Sequence, residues 1–289
     1  MTNTENALKR LASINNLPTL PIVIEKIGQA TRAPNANAAT LARIIEDDPA
    51  IMARILKVAN SVLYAGSVQI TSVQMAVARL GMNALSNIAL STAVFSTFDD
   101  EDNVGFNRQE FWHHSICTGI AAAVVCRKVT AKMTSRYSRD ILHLFGLLHD
   151  IGRIVFIQYF DKEFEEVLSR HQQDQQPLQE VEHNLIGLDH TQSGAWLSTK
   201  WKLAEDIKQV ITWHHNPDGA GEQYWEAAAL VHTANYICNM EKIGNSGDAK
   251  PVFLPEVWKR LGLTLDDILE IVDQVHEESA QSEILMSFV

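Results

Sequence analysis

The stretch Ile141-Leu-His-Leu-Phe-Gly-Leu-Leu-His149-Asp150-Ile-Gly-Arg153 carries the clearest signal in this chain. Leu142, Phe145 and His149 recur at helical spacing, so an imidazole and a carboxylate stand side by side at the end of an apolar helical run. Neighbouring side chains on a helix diverge by about 100°, yet both can converge on one cation in the groove between two helices. A metal ion would explain why such a pair is buried. Without one, the bland expectation is a core histidine satisfied by ordinary hydrogen bonds. The histidine distribution favours the first reading, because ten of the eleven histidines lie between His113 and His232.

Composition frames that stretch. The chain has 289 residues, 46% of them hydrophobic, with 8 prolines and 14 glycines, enough apolar material for a substantial core. No apolar run approaches a membrane span, and Met1-Thr-Asn-Thr-Glu-Asn lacks the basic and apolar regions of a secretory leader, so the expected home is cytoplasmic. Cys117, Cys126 and Cys238 sit in apolar helical segments and read as reduced core thiols. A net charge of −11 argues against general binding to a phosphate backbone.

Upstream, residues 17–98 read as a lobe of short helices, preceded by an N-terminal segment over 1–16. Leu17-Pro-Thr-Leu-Pro21 opens a helix at Pro21, and Asp47-Asp48-Pro49 ends one helix and starts the next. Ile70-Thr-Ser-Val73 caps a helix through Leu80, and Gly81 turns the chain into another through Leu90. This helix-turn-helix outline has no Arg or Lys on its second helix, so DNA reading is not expected. The acidic break Phe98 to Gly105 marks a boundary, and a second lobe spans 106–240.

In that lobe Asn107 and Glu110 suggest a helix cap, and the helix that follows, through Val129, turns His114 inward. Downstream, a single long helix is expected from about Leu178 to Trp201, with His183, Gly187, His190, Gly194 and Leu197 on one face. A further helix ends in His214-His215 and is stopped by Asn216-Pro217. Ala227 to Met240 is helical. Residues 241–289 read as a flexible loop, Ile243 to Pro251, and an amphipathic helix with Leu265, Ile268, Leu269, Val272 and Val275 inward, folded back on the body. No strand alternation appears, so the expected fold is all-α.

With these residues in place, the chain resembles the HD superfamily of metal-dependent phosphohydrolases and, more narrowly, the HDOD family, the HD-related output domain of bacterial signalling proteins. The matching pieces run in the family's order from Leu17-Pro-Thr-Leu-Pro21 through Glu46-Asp-Asp-Pro49, Leu56 to Ser61, Phe111-Trp-His-His114-Ser115, Leu147-Leu-His149-Asp150-Ile-Gly152 and His190 to His214-His215. The resemblance implies an HD-like helical core with an N-terminal helical lobe packed on it. It also implies metal ligands at His114, His149 and Asp150. His190, His214 and His215 match further ligands of the two-metal HD-GYP relatives, which cleave cyclic dinucleotides. One position departs, since Asn235 stands where the relatives carry a later Asp, and an amide oxygen neutralises none of a cation's charge. The HD-GYP signature loop is also incomplete, with Glu222-Gln223 in place of tyrosine and proline.

Two functions follow from the resemblance. The first is a non-catalytic signalling module with a degenerate metal site that binds a partner protein or a small nucleotide-like ligand. The second is a phosphohydrolase acting on a phosphoester or cyclic dinucleotide, with Asp150 and His149 central to catalysis and Arg153 or Lys200 contacting phosphate. The donor set favours a divalent transition metal, Fe, Zn, Ni or Mn, over Mg, with at most one ion held firmly.

Overall fold

The computed structural model describes residues 2–61, 64, 68–97, 106–130 and 137–280. Among them every regular element is a helix, as the sequence reading expects. The acidic break at Phe98 to Gly105 and residues 131–136 lie outside the described residues. The chain forms two compact units, one from Met1–Leu17 with Glu101–Ser279 and the other chiefly from Pro18–Asp100. None of the described helices is long and apolar enough to cross a membrane.

The first helix, α1 (Asn3–Ala12), falls in what the sequence marks only as an N-terminal segment. The Thr2 hydroxyl accepts from Glu5 N at 3.2 Å and the Glu5 carboxylate accepts from Thr2 N at 3.0 Å, a reciprocal cap that satisfies two free amides. It packs within the first unit. The second unit then begins with α2 (Ile22–Arg32), α3 (Ala38–Glu46), α4 (Pro49–Ala59) and α5 (Val73–Thr97). Pro49 starts α4 where its missing N–H costs nothing, and Asp48 Oδ1 accepts from Ala50 N and Ile51 N at 3.1 Å each.

Gly81 divides α5 in two. Its φ of 84° and ψ of 165° lie where only glycine sits without strain, so the turn read from the sequence is a kink between two helices. Asn60 closes the end of α4 onto the start of the next segment: its amide donates to Leu56 O and Ile70 O, and its Oδ1 accepts from Ile70 N, each at 2.8 Å. Ile27, Leu41, Ile45, Ile55 and Leu85 fill the core of this unit with essentially no exposed surface. Each such side chain contributes about 1.5–3 kcal/mol of burial energy.

The chain then returns to the first unit with α6 (Arg108–Thr130), α7 (Arg139–Leu148), α8 (Gly152–Tyr159), α9 (Asp161–Asp174), α10 (Leu178–Ile186), α11 (His190–Lys200) and α12 (Glu205–Trp213). A 3-10 turn at Pro217–Ala220 leads into α13 (Gly221–Met240), α14 (Pro255–Arg260) and α15 (Leu265–Ser279). Helix α6 is the axis of this unit, packed by α7, α13 and α15. The α6–α7 crossing is unusually close because both sides are glycine: a Cβ on Gly146 would lie 2.1 Å from Gly119 N. Cys117, Cys126 and Cys238 are free and buried.

Three sequence expectations need correction. The single helix from Leu178 to Trp201 is two helices, since Gly187 adopts φ 92° and ends α10 in a left-handed cap. His183 is exposed as a result, and Glu182 takes the buried position. The loop Ile243 to Pro251 is not merely flexible: Ser246 and Asp248 are buried, and the loop is tied to the body by hydrogen bonds from Ser246 Oγ to Asn239 Oδ1 and from Ala249 N to His171 Nε2. On α15 the inward face is Ile268, Ile271 and Val275, while Leu265 and Leu269 point to solvent at 72% and 59% exposure.

Candidate metal centre

Five helices deliver side chains to one point inside the first unit. His114 comes from the middle of α6, His149 and Asp150 from the turn after α7, His190 from the first residue of α11, His214 and His215 from the end of α12, and Asn235 from α13. His114, His149, Asp150, His190 and His214 are wholly buried; only His215 is partly exposed. Close backbone approach makes the convergence geometrically available. A Cβ on Gly152 would lie 1.9 Å from His190 O, so α8 can meet α11 only with glycine there.

Two donor groups form around a shared carboxylate. Ligand atoms of Asp150, His190, His214 and His215 all lie within 4.8 Å of one another, as do those of His114, His149 and Asp150. Asp150 Oδ1 is 3.2 Å from His190 Nε2 and 3.4 Å from His214 Nε2, while His190 Nε2 and His215 Nε2 are 2.9 Å apart. The six positions named from the sequence therefore come together.

Backbone and carboxylate acceptors fix the ring orientations. His149 Nδ1 donates to Gly146 O at 2.6 Å and His214 Nδ1 to Ile211 O at 3.0 Å. His190 Nδ1 donates to Glu182 Oε2 at 2.5 Å, and the same oxygen accepts from His190 N at 2.9 Å. With the Nδ1 positions spent on donation, the Nε2 lone pairs face inward on one another and on a carboxylate. That is the arrangement a cation requires, and the outer carboxylate on His190 is the usual means of fixing a ligand ring. His149 Nε2 is buried with no hydrogen-bond partner and Asp150 Oδ1 meets only the inward nitrogens of His190 and His214, so the donor set fits a divalent metal.

The Asn235 side behaves differently. Asn235 Oδ1 lies 2.9 Å from His114 Nε2 and accepts from Asn239 Nδ2 at 2.8 Å, while Asn239 Oδ1 accepts from Ser246 Oγ at 2.8 Å. One lone pair of the amide oxygen is thus engaged by Asn239, and the oxygen also abuts His114 Nε2.

Electrostatics follow from burial and neighbours. Burial, helped by the nearby His149, pushes His114 down to about 3. Burial likewise lowers His214 to about 4 against the pull of Asp150, and lowers His215 well below its ordinary value. Burial also disfavours the imidazolium of His190, but the Glu182 carboxylate, aided by Asp150, outweighs it and raises that ring to about 9. Burial would raise Asp150, yet Arg153, His149 and His190 hold its carboxyl well below the usual range. Without metal, His190 therefore keeps a proton where a cation would otherwise sit.

Arg153 does not have the role expected from the sequence. Its guanidinium is fully buried, 2.5 Å from Asp150 Oδ2, 3.3 Å from Glu182 Oε1 and 2.8 Å from Ser246 O, so it is not available to an incoming phosphate. Lys200 is no substitute: it is exposed at the far end of α11, about 15 Å of helix from His190. Glu182 was missing from the sequence reading. Its signal is an acidic residue on the apolar stripe Leu178, Val181, Ile186, legible only once the helix is broken at Gly187.

An all-helical core that gathers histidines around a His-Asp pair defines the class as HD-like. The pattern of the HDOD domain matches residues 17–217, and the chain belongs to that family. It is similar in structure to an HDOD domain protein of unknown function from Geobacter sulfurreducens, with a TM-score of 0.80, 23% identity and 98% coverage of both chains. A protein from Shewanella amazonensis SB2B named "putative metal-dependent phosphohydrolase" superposes with a TM-score of 0.64 at 24% identity, over 97% of this chain and 99% of that one. An uncharacterized protein from Treponema pallidum (strain Nichols) is 25% identical over 225 residues, 77% of this chain; the chain spans 42% of that relative's length.

Proposed function

We propose that the chain is a regulatory HDOD module of bacterial signal transduction, in which the helical body binds a signalling partner protein or a small nucleotide-like ligand and the His/Asp centre is a one-metal remnant of a hydrolase site. The observation that carries this reading is the engagement of Asn235. Two-metal phosphoester hydrolysis needs a second set of anionic donors that neutralises a second cation. Here that position offers an uncharged oxygen that already accepts from Asn239 and abuts His114. Asp150, His190, His214 and His215 would hold the remaining ion, and nitrogen-rich coordination favours Fe, Zn, Ni or Mn over Mg. Such an ion would supply Lewis acidity and fix the four side chains in one arrangement.

The test is metal analysis of the purified protein beside hydrolysis assays on a panel of phosphoesters and cyclic dinucleotides, with the native chain and Asn235→Asp. About one transition metal per chain and no turnover in either protein is expected. Robust metal-dependent turnover by the native chain, lost in Asp150→Ala, would replace this reading with the phosphohydrolase.

A further inference from the structure

The two oxygens of Asp150 have unlike surroundings. Oδ1 faces His190 Nε2 at 3.2 Å and His214 Nε2 at 3.4 Å. Oδ2 faces His149 Nε2 at 3.3 Å and the Arg153 guanidinium at 2.5 Å. The same guanidinium reaches Glu182, which in turn holds His190, so one buried cation links both carboxylates of the centre. Nothing about Arg153 is adjustable. Guanidinium is always charged in proteins, and burial between two carboxylates and a carbonyl leaves it no route to solvent.

We propose that Arg153 is a built-in cation that fills the charge-neutralising place of one metal on the Oδ2 side of Asp150, limiting the centre to a single metal ion on the Oδ1 side. This rests on the metal reading given above and deepens it, because the limit is set by Arg153 and not by Asn235 alone. A divalent ion drawn to Oδ2, His149 and His114 would meet a fixed positive charge on the same oxygen. Restoring an acidic residue at 235 leaves that repulsion in place. Arg153 is then a positioning residue: it orients Asp150 and Glu182, and it determines how many ions the centre admits.

The experiment is cobalt(II) binding by equilibrium dialysis with metal analysis, on the full chain. The native protein, Asn235→Asp, and Asn235→Asp combined with Arg153→Met or with Arg153→Lys are compared. Expected are one equivalent in the native chain, one in Asn235→Asp, two in the Met double variant and one in the Lys double variant, which retains the charge. Two equivalents in Asn235→Asp would overturn the proposal while leaving the metal reading intact. A folded Met double variant that still binds one equivalent would overturn it as well. Absence of cobalt from the native chain would sink the metal reading and the proposal together. If the Met double variant does not fold, Asn235→Asp alone decides: one equivalent supports the proposal and two refutes it.

Discussion

Replacing Glu182 with Gln keeps the size of the side chain and removes its charge, and the geometry fixes the consequence. Glu182 Oε2 accepts from both His190 N and His190 Nδ1, and Oε1 accepts from Arg153 Nε. A glutamine that keeps its oxygen toward His190 turns an NH2 toward Arg153, donor against donor; the reverse orientation opposes two His190 donors. Breaking a buried ion pair from one side costs about 3–5 kcal/mol, and Arg153 retains Asp150 and Ser246 O, so the low end, about 3 kcal/mol, applies. At roughly 2–4 °C per kcal/mol for a unit of this size, the metal-free protein should melt about 6–12 °C lower. Loss of the carboxylate that orients a ligand histidine should also weaken metal binding about 10- to 100-fold, or about 1.4–2.7 kcal/mol. All six tryptophans lie in the site-bearing unit, so tryptophan fluorescence reports its unfolding without contribution from the other. Metal affinity is read separately by calorimetry. A Glu182→Gln protein with an unchanged melting point and unchanged affinity would refute the argument.

Because His190 is held protonated up to about 9 and a metal needs its neutral nitrogen, metal binding should release close to one proton at pH 7.5 and strengthen about tenfold per pH unit up to about 9; calorimetry in buffers of different ionisation enthalpy counts that proton. His114 and His214 are lowered to about 3 and 4, so between those values and 6.5 the unfolded chain binds more protons than the folded one. Stability of the metal-free protein should therefore fall with pH below 6.5, by up to about 1.4 kcal/mol per pH unit for each ring, as denaturant midpoints at pH 7 and 5 would show. Gly152→Ala drives a Cβ into His190 O and should cost about 3 kcal/mol together with metal binding, measured by melting and dialysis. Asp48→Ala removes the cap of α4 and should cost about 1 kcal/mol in the other unit while leaving metal affinity as it was, a control for the site variants.

Much of this architecture was legible because its signals are local. Asp48-Pro49 and Gly81 act on their own backbone neighbours, so cap, first helical turn and kink could be read without tertiary information. The histidines were legible for a different reason: imidazoles on apolar helix faces are rare enough to stand out, and they match a family order. What escaped depends on partners distant in sequence. Glu182 acquires its role only when Gly187 breaks the helix and turns it toward His190, and Arg153 reads as a phosphate contact until Ser246 and Glu182 are seen to enclose it. Ser246 itself sits in a glycine-rich loop whose composition says flexible, although its hydrogen bonds to Arg153 and Asn239 hold it inside.

Helix α1 packs on α10, a Cβ on Gly187 would strike Asn3, and Arg10 pairs with Glu163 and stacks on Phe160, all in the unit that holds the histidines. The unit is therefore discontinuous along the chain, interrupted by about eighty residues that form the other one. During synthesis α1 emerges about 150 residues ahead of its partners Phe160 and Glu163 and further still ahead of α10, a long-range closure of the kind that slows folding. It also means that cutting the gene at the apparent boundary, to express residues 101 onward alone, strips away a helix and bares the apolar surface of α10. A fragment must therefore carry Met1–Leu17 together with Glu101–Ser279 to keep α1 on α10 in the unit that bears the metal centre.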